Sequence, residues 1–110
     1  MIARVAFTIL AGESLSNSLH LYGDLPAMLE MPPTWDTAAL TFRHSYDGGT
    51  FQNLYTPSGE EVIFPVAAAC NFAFSTALFS GAQYLQLRSG TAAVPVNQTA
   101  DRVIYLNLIW

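Results

Sequence analysis

At 110 residues the chain is long enough to build one two-layer core without disulfides or metals, and its single cysteine, Cys70, excludes an internal bridge. Charged residues make up 11% of the sequence, against about 25% in ordinary globular domains, and there is no lysine. A net charge of −4 with four scattered arginines (Arg4, Arg43, Arg88, Arg102) offers no basic track for nucleic acid, and no apolar run approaches the roughly 20 residues of a membrane-spanning helix.

Nearly every segment has a period of two. The segment 1–12 carries a positive charge, a short apolar run and small residues, as a signal peptide does. Thr8 interrupts that run, and Val5, Phe7 and Ile9 alternate with Ala6, Thr8 and Leu10, which predicts a first strand over 4–10 instead. Further strands are predicted over 16–22, 27–31, 39–46, 50–55, 61–67, 70–74, 83–88 and 102–109. Turn residues separate them: Gly12, Tyr22-Gly23-Asp24, Pro32-Pro33, Asp47-Gly48-Gly49, Pro57-Ser58-Gly59 and Ser80-Gly81. The clearest local signal runs from Leu40 to Tyr55. Leu40, Phe42, His44 and Tyr46 alternate with Thr41, Arg43 and Ser45, and Asp47-Gly48-Gly49 supplies the positive φ of a tight hairpin turn.

Later segments carry other signals. Pro65 lacks an amide donor, so its strand is an edge, bulged or broken. Ser75 is placed to cap a single helical turn that Gly81 ends. The stretch 89–101 is the longest without a strand pattern, which suits a crossover between sheets or a contact loop. In 102–109 both alternating sets are largely apolar, so that strand is covered on both faces or meets a partner chain. The whole reads as all-β: an antiparallel, jelly-roll-like β-sandwich of about eight strands with little or no helix, in one domain spanning 1–110.

Residues with catalytic chemistry are few and scattered. His20 and His44 lack zinc-ligand spacing to each other or to Cys70. Adjacent strand residues face opposite ways, so His44 and Ser45 cannot form a dyad. Glu60-Glu61 reads as a solvated pair, Asp47 as a residue bonding its own turn, Asp101-Arg102 as a local ion pair, and Cys70 as a small buried hydrophobe. No calcium or phosphate loop occurs. These features predict a protein that is not an enzyme and holds no cofactor or metal. The low charge predicts a surface covered by copies of itself or by a larger partner. Among the aromatics, Trp35 is the best candidate for an exposed contact, since it follows Pro32-Pro33-Thr34. Candidate interface residues are Trp35, Pro32, Pro33, Tyr55, Tyr105 and Trp110.

Three segments read together resemble a known group. They are the run from Met31-Pro32-Pro33-Thr34-Trp35 to Phe42, the hairpin from Ser45-Tyr46-Asp47-Gly48-Gly49 to Tyr55, and the stretch from Gly81 through Tyr84-Leu85-Gln86-Leu87-Arg88 to Arg102. In that order they resemble small virion proteins of tailed bacteriophages and prophages. The resemblance implies a jelly-roll structural protein on the particle, as capsid cement or decoration bound to the major capsid protein, or as a head-spike, fibre, tail or baseplate subunit. Ser45-x-Asp47-Gly48 followed by Gly81-x-x-Tyr84-Leu85-x-Leu87-Arg88 also resembles discoidin-like domains, which implies a carbohydrate-binding adhesion module as the alternative. This chain departs from those domains in being shorter and lacking a cysteine pair.

Overall fold

The period-two segments form eight antiparallel strands: β1 (Ile2–Ile9), β2 (Leu15–His20), β3 (Leu25–Glu30), β4 (Leu40–Ser45), β5 (Gln52–Asn53), β6 (Asn71–Ala73), β7 (Tyr84–Ser89) and β8 (Arg102–Ile109). The computed structural model describes residues Met1–Trp110. Hydrogen-bonded neighbours run β5-β4-β7-β2-β1-β8-β3-β6, one sheet curled on itself. The curl falls between β1 and β2, which share a single residue pair, Ile9 opposite Ser16. On one side of that seam β1, β8, β3 and β6 make a first layer. On the other, β2, β7, β4 and β5 make a second.

The bend originates in β2, whose pairing with β7 slips between Leu15 and Ser18. A bulge of this kind kinks a strand and increases its twist. Inside it, Ser16 Oγ accepts from Leu87 N at 2.9 Å and Asn17 Oδ1 accepts from Thr8 N at 2.8 Å, so side chains replace the missing ladder bonds. In β3 the register slips beside Pro26, which has no amide proton to donate.

β8 shows what a strand apolar on both faces is for. Arg102, Ile104, Leu106 and Leu108 are buried, while Val103, Tyr105, Asn107 and Ile109 are half-buried. The strand sits between β1, paired from Ile2–Ile109 to Ile9–Arg102, and β3. Its inward leucines and isoleucine join Phe7, Ile9 and Leu29 of the first layer and Leu40, Phe42, Leu85 and Leu87 of the second in one contiguous core. Each such side chain contributes about 1.5–3 kcal/mol on full burial. Four phenylalanines extend the core beyond the strands. Phe42 meets Phe64 at 5.2 Å and Phe79 at 5.0 Å, and Phe74 meets the same two rings at 5.2 and 5.4 Å. Phe79 ends the 3-10 turn Thr76–Phe79, whose cap is Ser75, as its sequence predicts.

The segment after β7 does cross from the second layer to β8 in the first. Its path depends on Gly90, at φ +89°, where a Cβ would lie 2.5 Å from Val94 O and 2.6 Å from Val96 N.

Several expectations need correction. No strand forms over 61–67, where Glu61 and Phe64 make only isolated pairings with Tyr55 and Leu40, because Pro65 interrupts any ladder. The tight hairpin turn is instead a wider loop over 46–51 in which only Gly48 takes a positive φ, and the returning strand shrinks to β5. Cys70 is exposed rather than buried, since β6 starts only at Asn71 and leaves Cys70 in the preceding loop. Met1 and Trp110 prolong the β1–β8 ladder: the terminal ammonium donates to Trp110 O at 3.0 Å and Trp110 N donates to Met1 O at 3.2 Å.

Candidate interaction surface

Alternate residues of β1, β8, β3 and β6 form the outer face of the first layer, and register fixes what lies beside what. Ile2 stands opposite Ile109, and Ile109 opposite Leu25, an apolar row across three strands. The next row is Arg4, Asn107, Met28 and Ala73, followed by Ala6, Tyr105, Glu30 and Asn71. Ile2 is 71% exposed, and Trp110, just past the end of β8, is 61% exposed. Apolar side chains this open, grouped at one end of a sheet face, mark a surface suited to contact.

One charged group crosses this face. Arg4 reaches over β8 to β3, donating from Nε and Nη2 to Glu30 Oε2 and Oε1, both at 3.1 Å. On the way its guanidinium carbon lies 3.5 Å from the centroid of the Tyr105 ring. The hydrogen bond from Arg4 holds the Glu30 carboxyl below its ordinary pKa, and the same bond raises Arg4. The pair therefore stays ionised with its charges cancelled in place, and the face as a whole carries little net field.

Beside this group a groove of about 430 Å³ runs between the layer and the segment after β3, with Pro32, Pro33, Thr34, Tyr105 and Asn71 in its walls. A polar network fixes that segment. Buried Arg102 donates to Thr34 Oγ1 at 2.7 Å, to Asp36 Oδ1 at 3.1 Å and to Gln98 Oε1 at 3.1 Å. Gln98 is fully buried and donates to Asp36 O and Ser89 Oγ. Bonds from the Thr99 hydroxyl and amide hold the Asp36 carboxyl below its ordinary range, with the Arg102 charge adding to them. Arg102 thus pairs with Asp36, not with adjacent Asp101, which accepts from Ala11 N instead. Strand alternation explains the change: Arg102 points inward, so its neighbour points away.

The six candidate interface residues do not share one site. Pro32, Pro33 and Tyr105 meet at the groove, although Pro32 itself is buried. Trp110 lies at the other end of the same layer, where its backbone joins Met1 beyond the Ile2–Ile109 pair. Tyr55, 52% exposed, follows β5 at the opposite end of the sheet order. Trp35 is half-buried against the core with Nε1 donating to Ala38 O at 3.1 Å, which removes it as an exposed stacking residue.

In the second layer, Glu61 is not solvated. It accepts from Arg88 Nη2 at 2.6 Å, and the two side chains are only 13% and 7% exposed. Arg88 also donates to Thr41 Oγ1 at 3.0 Å and Asn53 Oδ1 at 2.8 Å. His44 Nε2 accepts from Gln83 N and His20 Nδ1 accepts from Tyr22 N. Ser45 Oγ, facing away from His44, donates to Asp47 and accepts from Gly48 N, so the two residues form no dyad. The sequence signals missed here were the ion pairs, whose members lie far apart along the chain.

No protein-family model matches the sequence, and no curated protein matches it. Among solved structures, the fold is similar to that of the SPBc2 prophage-derived protein YomS in its crystal structure, with a TM-score of 0.56 at 10% sequence identity. The match covers 100% of this chain and 96% of that one, so the likeness extends over the whole architecture.

Proposed function

We propose that this chain is a non-enzymatic structural subunit of a phage particle, acting as a capsid cement or decoration protein. It grips the major capsid protein through the outer face of the first layer and works as a homo-oligomer, a trimer or dimer. The observation that carries this reading is the outward-facing apolar row of Ile2, which is exposed, with half-buried Ile109 and Leu25, and with exposed Met28 and Trp110 nearby, in a chain without a lysine. Edge pairing is a poor alternative route, because the edge strands β5 and β6 span only Gln52–Asn53 and Asn71–Ala73. The fold shared with a prophage-derived protein, and the resemblance of the Trp35, Asp47 and Tyr84 segments to virion proteins, support a phage origin.

Shells assembled from major capsid protein alone provide the test. The wild-type chain should co-sediment with them and raise the temperature at which they rupture. A variant carrying Ile2→Lys and Ile109→Lys should keep its fold, because both positions face outward, yet lose shell binding. Failure of the wild type to bind shells overturns the cement role, and equal binding by the double variant overturns the assigned face. Binding to tails, baseplates or spikes in place of shells moves the subunit elsewhere on the particle.

A further inference from the structure

The sheet has an open edge besides its two ends. Met1 and Trp110 exchange backbone bonds at 3.0 and 3.2 Å, which sets the phase of the β1–β8 ladder. Every second residue from Met1 therefore bonds β8, and the amides and carbonyls of Ile2, Arg4, Ala6 and Thr8 point the other way, toward β2. Thr8 follows this phase, since its amide donates to Asn17 Oδ1 of β2. Beyond that contact β2 turns away. It shares only Ile9–Ser16 with β1, and a cleft of about 490 Å³ opens beside Ala6, Thr8 and Asn17. No bond reaches the amides or carbonyls of Ile2, Arg4 and Ala6 from that side, and all three residues are exposed. Edges of this kind are ordinarily blunted by shortness, a proline, a bulge or a free charge. Shortness protects β5 and β6. β1 has no such guard: its register with β8 is unbroken, it contains no proline, and its one charge, Arg4, is turned across the face to Glu30.

We infer that β1 pairs with β1 of a second copy of this chain, antiparallel, about a two-fold axis at Arg4. The unpaired set is symmetric about Arg4 and so complements itself. Arg4 of one copy faces Arg4 of the other and Ile2 faces Ala6, which uses every free amide and carbonyl of the three residues. The set ends where this register needs it to end, because the Thr8 amide and the Met1 carbonyl are already engaged. Like charges placed opposite one another repel, but each Arg4 is neutralised by two bonds to its own Glu30. Pairing closes at two, since both copies use this edge up and leave nothing to propagate a fibre. An axis normal to the sheet also keeps both outer faces on one side, so the two apolar rows lie in one continuous surface. The inference rests on the homo-oligomer part of the reading above, not on the shell role, and names the contact that joins the copies.

The test follows the full chain by sedimentation velocity and by NMR amide exchange from about 5 to 500 µM. A dimer should form within that range and dissociate on dilution, because the shared strand is short. The amides of Ile2, Arg4 and Ala6 should exchange about tenfold more slowly in the dimer than in the monomer. Ala6→Pro removes a donor that bonds nothing within the chain, so this variant should melt as the wild type does and stay monomeric. Ile109→Lys, on β8 and away from the edge, should dimerise as the wild type does whether or not it binds shells. A monomer throughout the range overturns the inference, and so does a trimer. A dimer that survives Ala6→Pro, or one in which the three amides exchange as fast as in the monomer, overturns it as well. A monomer that still sediments with shells leaves the cement role standing.

Discussion

Glu61→Ala should be among the most damaging changes outside the apolar core. Arg88 is 7% exposed and Glu61 13%, so solvent screens their interaction little. Removing the carboxylate leaves Arg88 with two neutral acceptors, Thr41 Oγ1 and Asn53 Oδ1, and no counter-charge. Breaking a buried pair in this way costs about 3–5 kcal/mol. Ala92 N, which also donates to Glu61, loses its acceptor, but its half-exposed position lets water replace it. For a chain of this size, that loss corresponds to a fall in Tm of about 12–20 °C. Urea unfolding should show a lower midpoint with an unchanged slope. A second variant, Arg88→Met with Glu61→Leu, separates the stranded charge from the lost contacts. Replacing a whole buried pair with apolar side chains is close to neutral, so this variant should recover most of the stability. A loss below about 1 kcal/mol in Glu61→Ala, typical of an exposed pair, would refute the reasoning. A double variant no better than the single one would refute it as well.

Gly90→Ala should leave little folded protein, because the new Cβ meets Val94 O at 2.5 Å in addition to the positive φ. Gly12→Ala, at φ +82° with open space around it, should cost only about 1–2 kcal/mol. Thermal melts of the two variants compare clash with strain directly, and equal losses would contradict the difference. The carboxyls of Glu30, Asp36 and Asp47 all have folded pKa values below their ordinary 4.5, 3.8 and 3.8. Depressed values stabilise the fold above the unfolded pKa and lose that effect as pH falls through the folded one. Urea midpoints should therefore hold from neutrality to about pH 5 and decline below about pH 4. Asp36→Asn should flatten that decline, and an unaltered acid limb would discount this residue. Cys70 should react fully with a thiol reagent in the native protein, and a requirement for denaturant would show that it is covered.

What could be read in advance was local. Strand β8 appears at its predicted bounds because eight residues of unbroken alternation leave no competing register. Ser75 caps its turn because the donor it satisfies, Ala77 N, is two residues away. Asp47 bonds its own loop for the same reason. Misreadings came where a distant residue decides. Glu61 looked solvated beside Glu60, but the β4–β7 ladder brings Arg88 to it from 27 residues away. Asp101 looked like the partner of Arg102, but the segment between β3 and β4 delivers Asp36 instead. Trp35 followed a turn-prone run, and only the packed layers show its ring drawn against the core.

The pairing of β1 with β8 also dictates an order of events in folding. These neighbours, joined from Ile2–Ile109 inward, close the widest span in the chain, while β4, β5 and β7 meet over much shorter distances. Closing a long span before its contacts reward it is slow, so this topology belongs with sheets that fold in milliseconds to seconds. As the chain emerges from the ribosome, β1 waits without its main partner until β8 has been made. The second layer is able to organise first, and the first layer then closes over it. The apolar row of Ile2, Ile109 and Leu25 comes into being only at that final step, so unfinished chains do not yet present it.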